Sequence, residues 1–288
     1  MTDFPDGIRS AVLDSAYPPE VNLYAETAGN LSRALSAIFR ACEKDKDCAE
    51  EYPDLEDTFR DTVKQLEDDP VEIELSGGFS DSEDAPPRAL LDGSGFVSTL
   101  YRALYDVTLI PDIPRIIHEV HDGDAEYAGY LWEFSSASAD SLNLGLNLSI
   151  QCAEEMAFTS SQEVEKEFGR HRLVGAVLTT EYSDWKFADC RTWDVDPAAA
   201  NANEAVHSDV PALILAGEYD PITPPAWGKL VAENQRGSFF FEFPSASHGV
   251  TVFGRCARKV MLDFVDNPGE PPDARCRERI REIDWVQD

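Results

Sequence analysis

Basic residues are what this chain of 288 residues has least of. It carries 24 Lys and Arg against 55 Asp and Glu, and only seven of the 24 are Lys. The net charge of −31 repels phosphate backbones and anionic lipid, which argues against nucleic acids and acidic membranes as partners. No apolar run reaches the roughly 18 residues of a spanning helix, so no membrane span is expected. The first residues, Met1-Thr2-Asp3-Phe4-Pro5-Asp6, have no basic n-region and no apolar h-region, so they do not read as a secretory signal. No two cysteines form a C-x-x-C pair and no histidine sits at finger-like spacing. A zinc site is therefore not expected. No cofactor is expected either.

What remains is enough for a folded enzyme-sized unit. The hydrophobic fraction is 43%, and the length suits one large domain or a core with a lid. Excess acid with scarce Lys is the composition of a salt-adapted surface, because high ionic strength screens self-repulsion. An ordinary acidic surface is the alternative. The six cysteines are Cys42, Cys48, Cys152, Cys190, Cys256 and Cys276. An even number in close pairs points to disulfides and an oxidising compartment. Fifteen connectivities exist, and the sequential one (42–48, 152–190, 256–276) is the simplest. Six free buried thiols are the competing reading.

The hydrophobic period changes along the chain. Ile8–Ser15 reads as a short buried strand after a Pro-Asp-Gly turn, and Pro18-Pro19 breaks regular structure. From Asn22 to about Asp69 the pattern is helical, with Leu31, Leu35, Ile38 and Phe39 on one face. Val71–Leu75 alternates like a strand or hairpin arm, and 76–87 is a polar loop. Helices are predicted at 93–104, 110–122, 126–135, 160–167 and 187–193, with an apolar run at 142–158. Val210–Gly217 is a continuous apolar run, as a parallel strand covered on both faces requires. A helix at 225–234, a strand at 239–244 and one helix at 250–264 follow. The fold class is thus α/β: a few parallel strands of a core with a large, mainly helical insertion. The expected division is 1–16 (a core strand), 17–205 (helical lid) and 206–288 (C-terminal core).

Two residues carry the chemistry. Asp220 ends the apolar strand, at the sheet edge where open α/β sheets bind ligands. His248 follows the next strand in a small-residue loop, Ser245-Ala246-Ser247-His248-Gly249. A carboxylate so placed can accept from His Nδ1–H, fix the tautomer and stabilise the imidazolium. Singly, Asp220 reads as a turn residue and His248 as a loop histidine; the order and flanks together favour an acid–base pair. Thr223 could hydrogen-bond within the Asp loop or simply cap the turn. No G-x-S-x-G turn supplies a nucleophile.

These segments resemble the proline iminopeptidase and tripeptidyl aminopeptidase branch of the α/β-hydrolases. The resemblance rests on DFPDGIRSAVLDS (Asp3–Ser15), QCAEE (Gln151–Glu155), PALILAGEYDPITPP (Pro211–Pro225) and FPSASHGV (Phe243–Val250) through FVDNPGEPPDARC (Phe264–Cys276). The stretch from about 55 to 140 is much less diagnostic. The resemblance implies a nucleophile elbow just before the segment matching Asp3–Ile8, so the chain is expected to be an N-terminally truncated hydrolase, inactive alone. It further implies secretion, paired cysteines and a peptide substrate with a free N-terminus. Its α-amino group would be held by a lid acid, for which Glu154 and Glu155 stand in place. Adjacent acids more commonly form a solvated helix face.

Other candidates are weaker. Ser94 reads as a helix cap, and Ser80 only half matches an elbow. His118 and His121 lie three apart among acids, a pattern of plain surface charge more often than of a metal site. Two alternatives to a truncated enzyme remain. One is a non-catalytic module that binds peptide amines. The other is one half of a two-chain hydrolase whose partner, an N-terminal half, carries the Ser; an esterase parent is compatible with the same pair.

Overall fold

The computed structural model describes residues 1, 4–75, 88–139, 143–171, 174–175 and 184–287; for 134–139 and 184–185 it describes the backbone alone. The first strand, β1, spans Ala11–Asp14. Pro18 and Pro19 end any extension of it, and Asn22 then caps α1 (Leu23–Lys44) by accepting from Ala25 N at 3.1 Å. Leu31, Leu35 and Ile38 bury one face of α1. Asp45 closes α1 and caps α2 (Lys46–Glu51) through Cys48 N, and the Cys42–Cys48 disulfide locks that corner. Next come α3 (Leu55–Asp68), then β2 (Val71–Glu74) paired antiparallel with β3 (Arg88–Leu91).

Five α-helices come next. They are α4 (Gly93–Ala103), α5 (Ile113–His121), α6 (Glu126–Ala139), α7 (Leu144–Ile150) and α8 (Ser161–Phe168). One turn of π-helix, Gln151–Glu155, continues α7. Then α9 (Asp184–Trp193) is tied to that turn by the Cys152–Cys190 disulfide. Leu31, Leu35, Phe59, Phe96 and Ile116 meet in one apolar cluster that unites α1, α3, α4 and α5. Trp285 joins it from the C-terminal segment, where Tyr52 Oη donates to Val286 O at 2.9 Å.

The sheet is completed by β4 (Ala212–Gly217) and β5 (Phe239–Phe243), with α10 (Pro225–Asn234) between them. The order is β1-β4-β5, all parallel, with Leu13 opposite Ile214 and Leu215 opposite Phe241. Every residue of β4 is buried, as a central strand covered on both faces must be. On one face Leu213, Leu215 and Phe243 pack with Ala257, Val260 and Phe264. On the other, α10 comes so close that a Cβ on Gly228 would lie 2.8 Å from the Phe240 ring. The chain then forms α11 (Val250–Phe253) and α12 (Arg255–Asp266), and the Cys256–Cys276 disulfide ties α12 to the C-terminal segment. The result is a helix-rich chain with a small parallel sheet, an arrangement of the α/β-hydrolase kind.

Several expectations are corrected. The first strand is shorter than Ile8–Ser15 and only half-buried. It pairs with β4 along one edge, and among the described residues no strand covers the other. The single helix expected over 250–264 is two, broken at Gly254. A Cβ there would meet Val250 O at 2.7 Å. Ser94 is not the cap of α4: Asp92 is, accepting from Gly95 N at 2.7 Å. The polar loop at 76–87, with Ser80, lies outside the described residues. No helix among the described residues is long and apolar enough to cross a membrane.

Candidate acid–base site

The carboxyl ends of β4 and β5 bring Asp220 and His248 together. Gly217 makes this possible, because a Cβ there would lie 2.3 Å from Ser247 O, so only glycine lets the two loops touch. Tyr219 N then donates to Ala246 O at 2.9 Å and cross-links them. Within its loop Asp220 Oδ1 accepts from Ile222 N (3.0 Å) and Thr223 N (2.9 Å). Its Oδ2 accepts from Thr223 Oγ1 (2.7 Å) and faces His248 Nδ1 at 3.0 Å. Thr223 Oγ1 is also 3.1 Å from that nitrogen. Asp220 is wholly buried, whereas the His248 side chain is 34% exposed. A buried carboxylate thus receives Nδ1, and the imidazole stays open to solvent. The Tyr105 ring packs against the imidazole with centroids 5.1 Å apart.

The histidine loop is held from β1. Asp14 accepts from Val250 N and Thr251 N, each at 2.9 Å, and from Thr251 Oγ1 at 2.6 Å. Ser15 Oγ accepts from Gly249 N at 2.9 Å. Ser15 (φ 60°) and Gly249 (φ 70°) both lie in the left-handed region. For Ser15 that conformation costs energy, and such strain gathers where a turn must be held in one shape.

The glutamates separate. Glu154 is exposed, but Glu155 is half-buried and accepts a hydrogen bond from Tyr17 Oη, on the loop after β1. Asn22 Nδ2 donates to Glu155 O at 2.9 Å. Burial raises the Glu155 carboxyl above its ordinary value, against the lowering effect of the Tyr17 bond. Burial and then the bond to Glu155 raise the Tyr17 phenol. Burial, with the Glu155 charge second, pushes Tyr24 up to about 12. Tyr17 stacks on Trp227 at 5.2 Å, and Trp227 Nε1 donates to Glu26 at 2.9 Å. The carboxylate thus sits on an aromatic support between α1 and the β1 loop.

His118 and His121 are not brought into this site. His118 lies against the Tyr52 ring and His121 Nδ1 is 3.3 Å from Thr62 Oγ1. No metal-holding cluster occurs among the described residues. Sequence reading missed Asp14, Ser15 and Tyr17, whose roles depend on distant partners. The available signal was Asp14-Ser15 itself, two polar residues closing an apolar strand.

Residues 176–276 match the family model described as TAP-like protein, an α/β-hydrolase family. The matched stretch contains β4, β5, Asp220 and His248. A search of curated proteins gives no match.

Proposed function

We propose that this chain supplies the acid and base of a TAP-like hydrolase that removes residues from the free N-terminus of peptides. The observation that carries the reading is the buried Asp220 carboxylate 3.0 Å from Nδ1 of a solvent-reachable His248, at the carboxyl edge of a parallel sheet. Asp220 holds the imidazole in the tautomer with the Nδ1 proton. His248 takes the nucleophile's proton on Nε2 and returns it to the leaving amine, and Asp220 stabilises the imidazolium in between.

The chain contains no G-x-S-x-G turn. The reading therefore requires a serine from polypeptide beyond this sequence, on a strand beside the uncovered edge of β1. A strand parallel to β1 there would end on the same side as the His248 loop, which Ser15 already touches. The segment 17–205 serves as a cap over the core at 206–288. Glu155 binds the substrate's α-ammonium, since a cation in a closed site needs a carboxylate partner. The resemblance to proline iminopeptidases and tripeptidyl aminopeptidases supports this substrate class. Three disulfides support an extracytoplasmic setting.

The test is an assay of the isolated chain on an N-terminally free aminoacyl-nitroanilide, alone and co-expressed with a polypeptide carrying a strand and a G-x-S-x-G turn. No turnover alone, and turnover on co-expression that His248→Ala abolishes, is expected. Turnover by the isolated chain that needs His248 would reveal a nucleophile inside it and overturn the two-part reading. Calorimetric binding of short peptides without cleavage in either arm would favour a binding module instead.

A further inference from the structure

We propose that Arg33, with Asn30, is the positioning device of the Asp220 loop, so that the helical region sets the geometry of the acid–base pair. The inference rests on reading Asp220 and His248 as that pair. Arg33 Nη1 donates to Glu218 O at 2.7 Å, and Nη2 donates to Asp220 O. One turn earlier, Asn30 Nδ2 donates to Ile222 O at 3.0 Å. The loop from 218 to 222 thus turns three alternate carbonyls toward α1, and two side chains satisfy all three.

This arrangement follows from the carboxylate. Asp220 Oδ1 draws the N–H groups of Ile222 and Thr223 inward. Turning those amides in leaves the loop carbonyls facing out, into a protein interior where an unpaired carbonyl is costly. Guanidinium suits this site, because its planar fork reaches two oxygens at once. It also brings a positive charge beside a carboxylate with no exposure to water. Burial lowers the Arg33 pKa, and the Asp220 charge is the largest influence raising it again. Arg33 Nε finds no hydrogen-bond partner in the structure, so the two carbonyls and the charges of Asp220, Glu242 and Glu218 are what offset its burial.

A buried Asn30 is also a poor choice for a helix on its own account. Asn30 and Arg33 flank the apolar face that Leu31, Ala34 and Leu35 build, and Asn30 is itself buried. Asn is a weak helix former, and burying either group costs free energy unless it is paired. A weak helix former at a buried position points to a demand from elsewhere in the fold. Here the demand is the loop 185 to 192 residues away. With Glu26, which holds Trp227, residues 26, 30 and 33 form one polar stripe on α1. A shift of α1 would be passed to the Asp220 backbone, and through it to the imidazole.

The experiment is NMR of the full chain with ¹⁵N-labelled histidine, in which His248→Gln assigns the His248 signals. In the unsubstituted chain a protected, far-downfield Nδ1–H proton and a single tautomer are expected for His248. Asp220→Asn should abolish both. Arg33→Gln should lose the downfield proton and average the ring nitrogens between tautomers, and Arg33→Lys should restore part of the signal. A folded Arg33→Gln chain with an unchanged His248 signal overturns the proposal and leaves the pair intact. If Arg33→Gln does not fold, Asn30→Ala decides: the same loss supports the proposal and an unchanged signal overturns it. A His248 signal unaffected by Asp220→Asn removes the acid–base reading itself, and this proposal with it.

Discussion

The Thr223 hydroxyl donates to the same Asp220 oxygen that faces His248, at 2.7 Å. It is therefore part of the pair's hydrogen-bonding shell as well as of the turn. In Thr223→Val the shape is kept, but a buried carboxylate loses one donor. Hydrogen bonds to charged groups contribute about 1.5–3 kcal/mol, so a loss of that size is expected, with Thr223→Ser close to the parent. Urea unfolding of both variants checks it. A Thr223→Val chain as stable as the parent would show that the hydroxyl contributes nothing here.

Asp14 does for the histidine loop what Thr223 does for the acid. Its carboxylate takes two backbone N–H groups and one hydroxyl at the start of α11. Loss of such a cap costs about 0.5–2 kcal/mol. Asp14→Ala should lower the unfolding free energy measured in urea by that amount and speed amide exchange at Val250 and Thr251. Asp14→Asn keeps acceptors and should fall between. Unchanged exchange at those two amides would rule out the capping role.

How the sequence announces this site differs from residue to residue. The meeting of Asp220 and His248 was legible because each follows an apolar strand, and parallel neighbours end on one side. The start of α10 was legible because Pro225 favours a first helical position. The break at Gly254 was not, since a lone glycine in a helical pattern is commonly tolerated. Nor was the difference between Glu154 and Glu155 visible. It comes from a π-turn that rotates one acid toward Tyr17, and no periodicity encodes that partner. Asn30 and Arg33 looked like ordinary polar residues on an amphipathic helix, because their partners lie beyond any local pattern.

The three disulfides close loops of different length, with sequence separations of 6, 38 and 20 for Cys42–Cys48, Cys152–Cys190 and Cys256–Cys276. If the bridges act by restricting the unfolded chain, they contribute about 2, 4 and 3 kcal/mol respectively. Paired Cys→Ala variants should therefore lose stability in the order 152–190, then 256–276, then 42–48. Thermal unfolding of the three variants tests the ranking. A largest loss at Cys42–Cys48 would mean that the tight corner between α1 and α2 acts through the native state instead.

Glu155 makes stability depend on pH with a definite sign. Its carboxyl is raised above its ordinary value, chiefly by burial. The folded state thus holds the proton more tightly than the unfolded chain. Below the unfolded value both states are protonated and no penalty exists. As pH rises from there through the raised folded value, the penalty grows, and above it the penalty is full and constant. Glu155→Gln keeps an acceptor for Tyr17 and removes the titration. It should be more stable than the parent at pH 7 to about 8, with the gain vanishing below about 4. Urea midpoints of both chains across this range decide it, and a gain that persists in acid would assign the effect to packing.

The excess of 55 acids over 24 bases leaves most surface carboxylates without a cation. Their mutual repulsion opposes the compact state and is screened by salt. The screening length falls from about 30 Å at 0.01 M to about 3 Å at 1 M. The Tm should therefore climb steeply over the first tenths of molar KCl and flatten as the screening length drops below the spacing between neighbouring charges. Screening is indifferent to which monovalent cation is used, so KCl and choline chloride should give superimposable curves. A Tm that keeps rising into molar KCl, and does so only with K⁺, would instead indicate carboxylates that bind hydrated cations as part of the folded surface. A Tm flat across the whole series would show an acidic surface whose charges are already too far apart to matter.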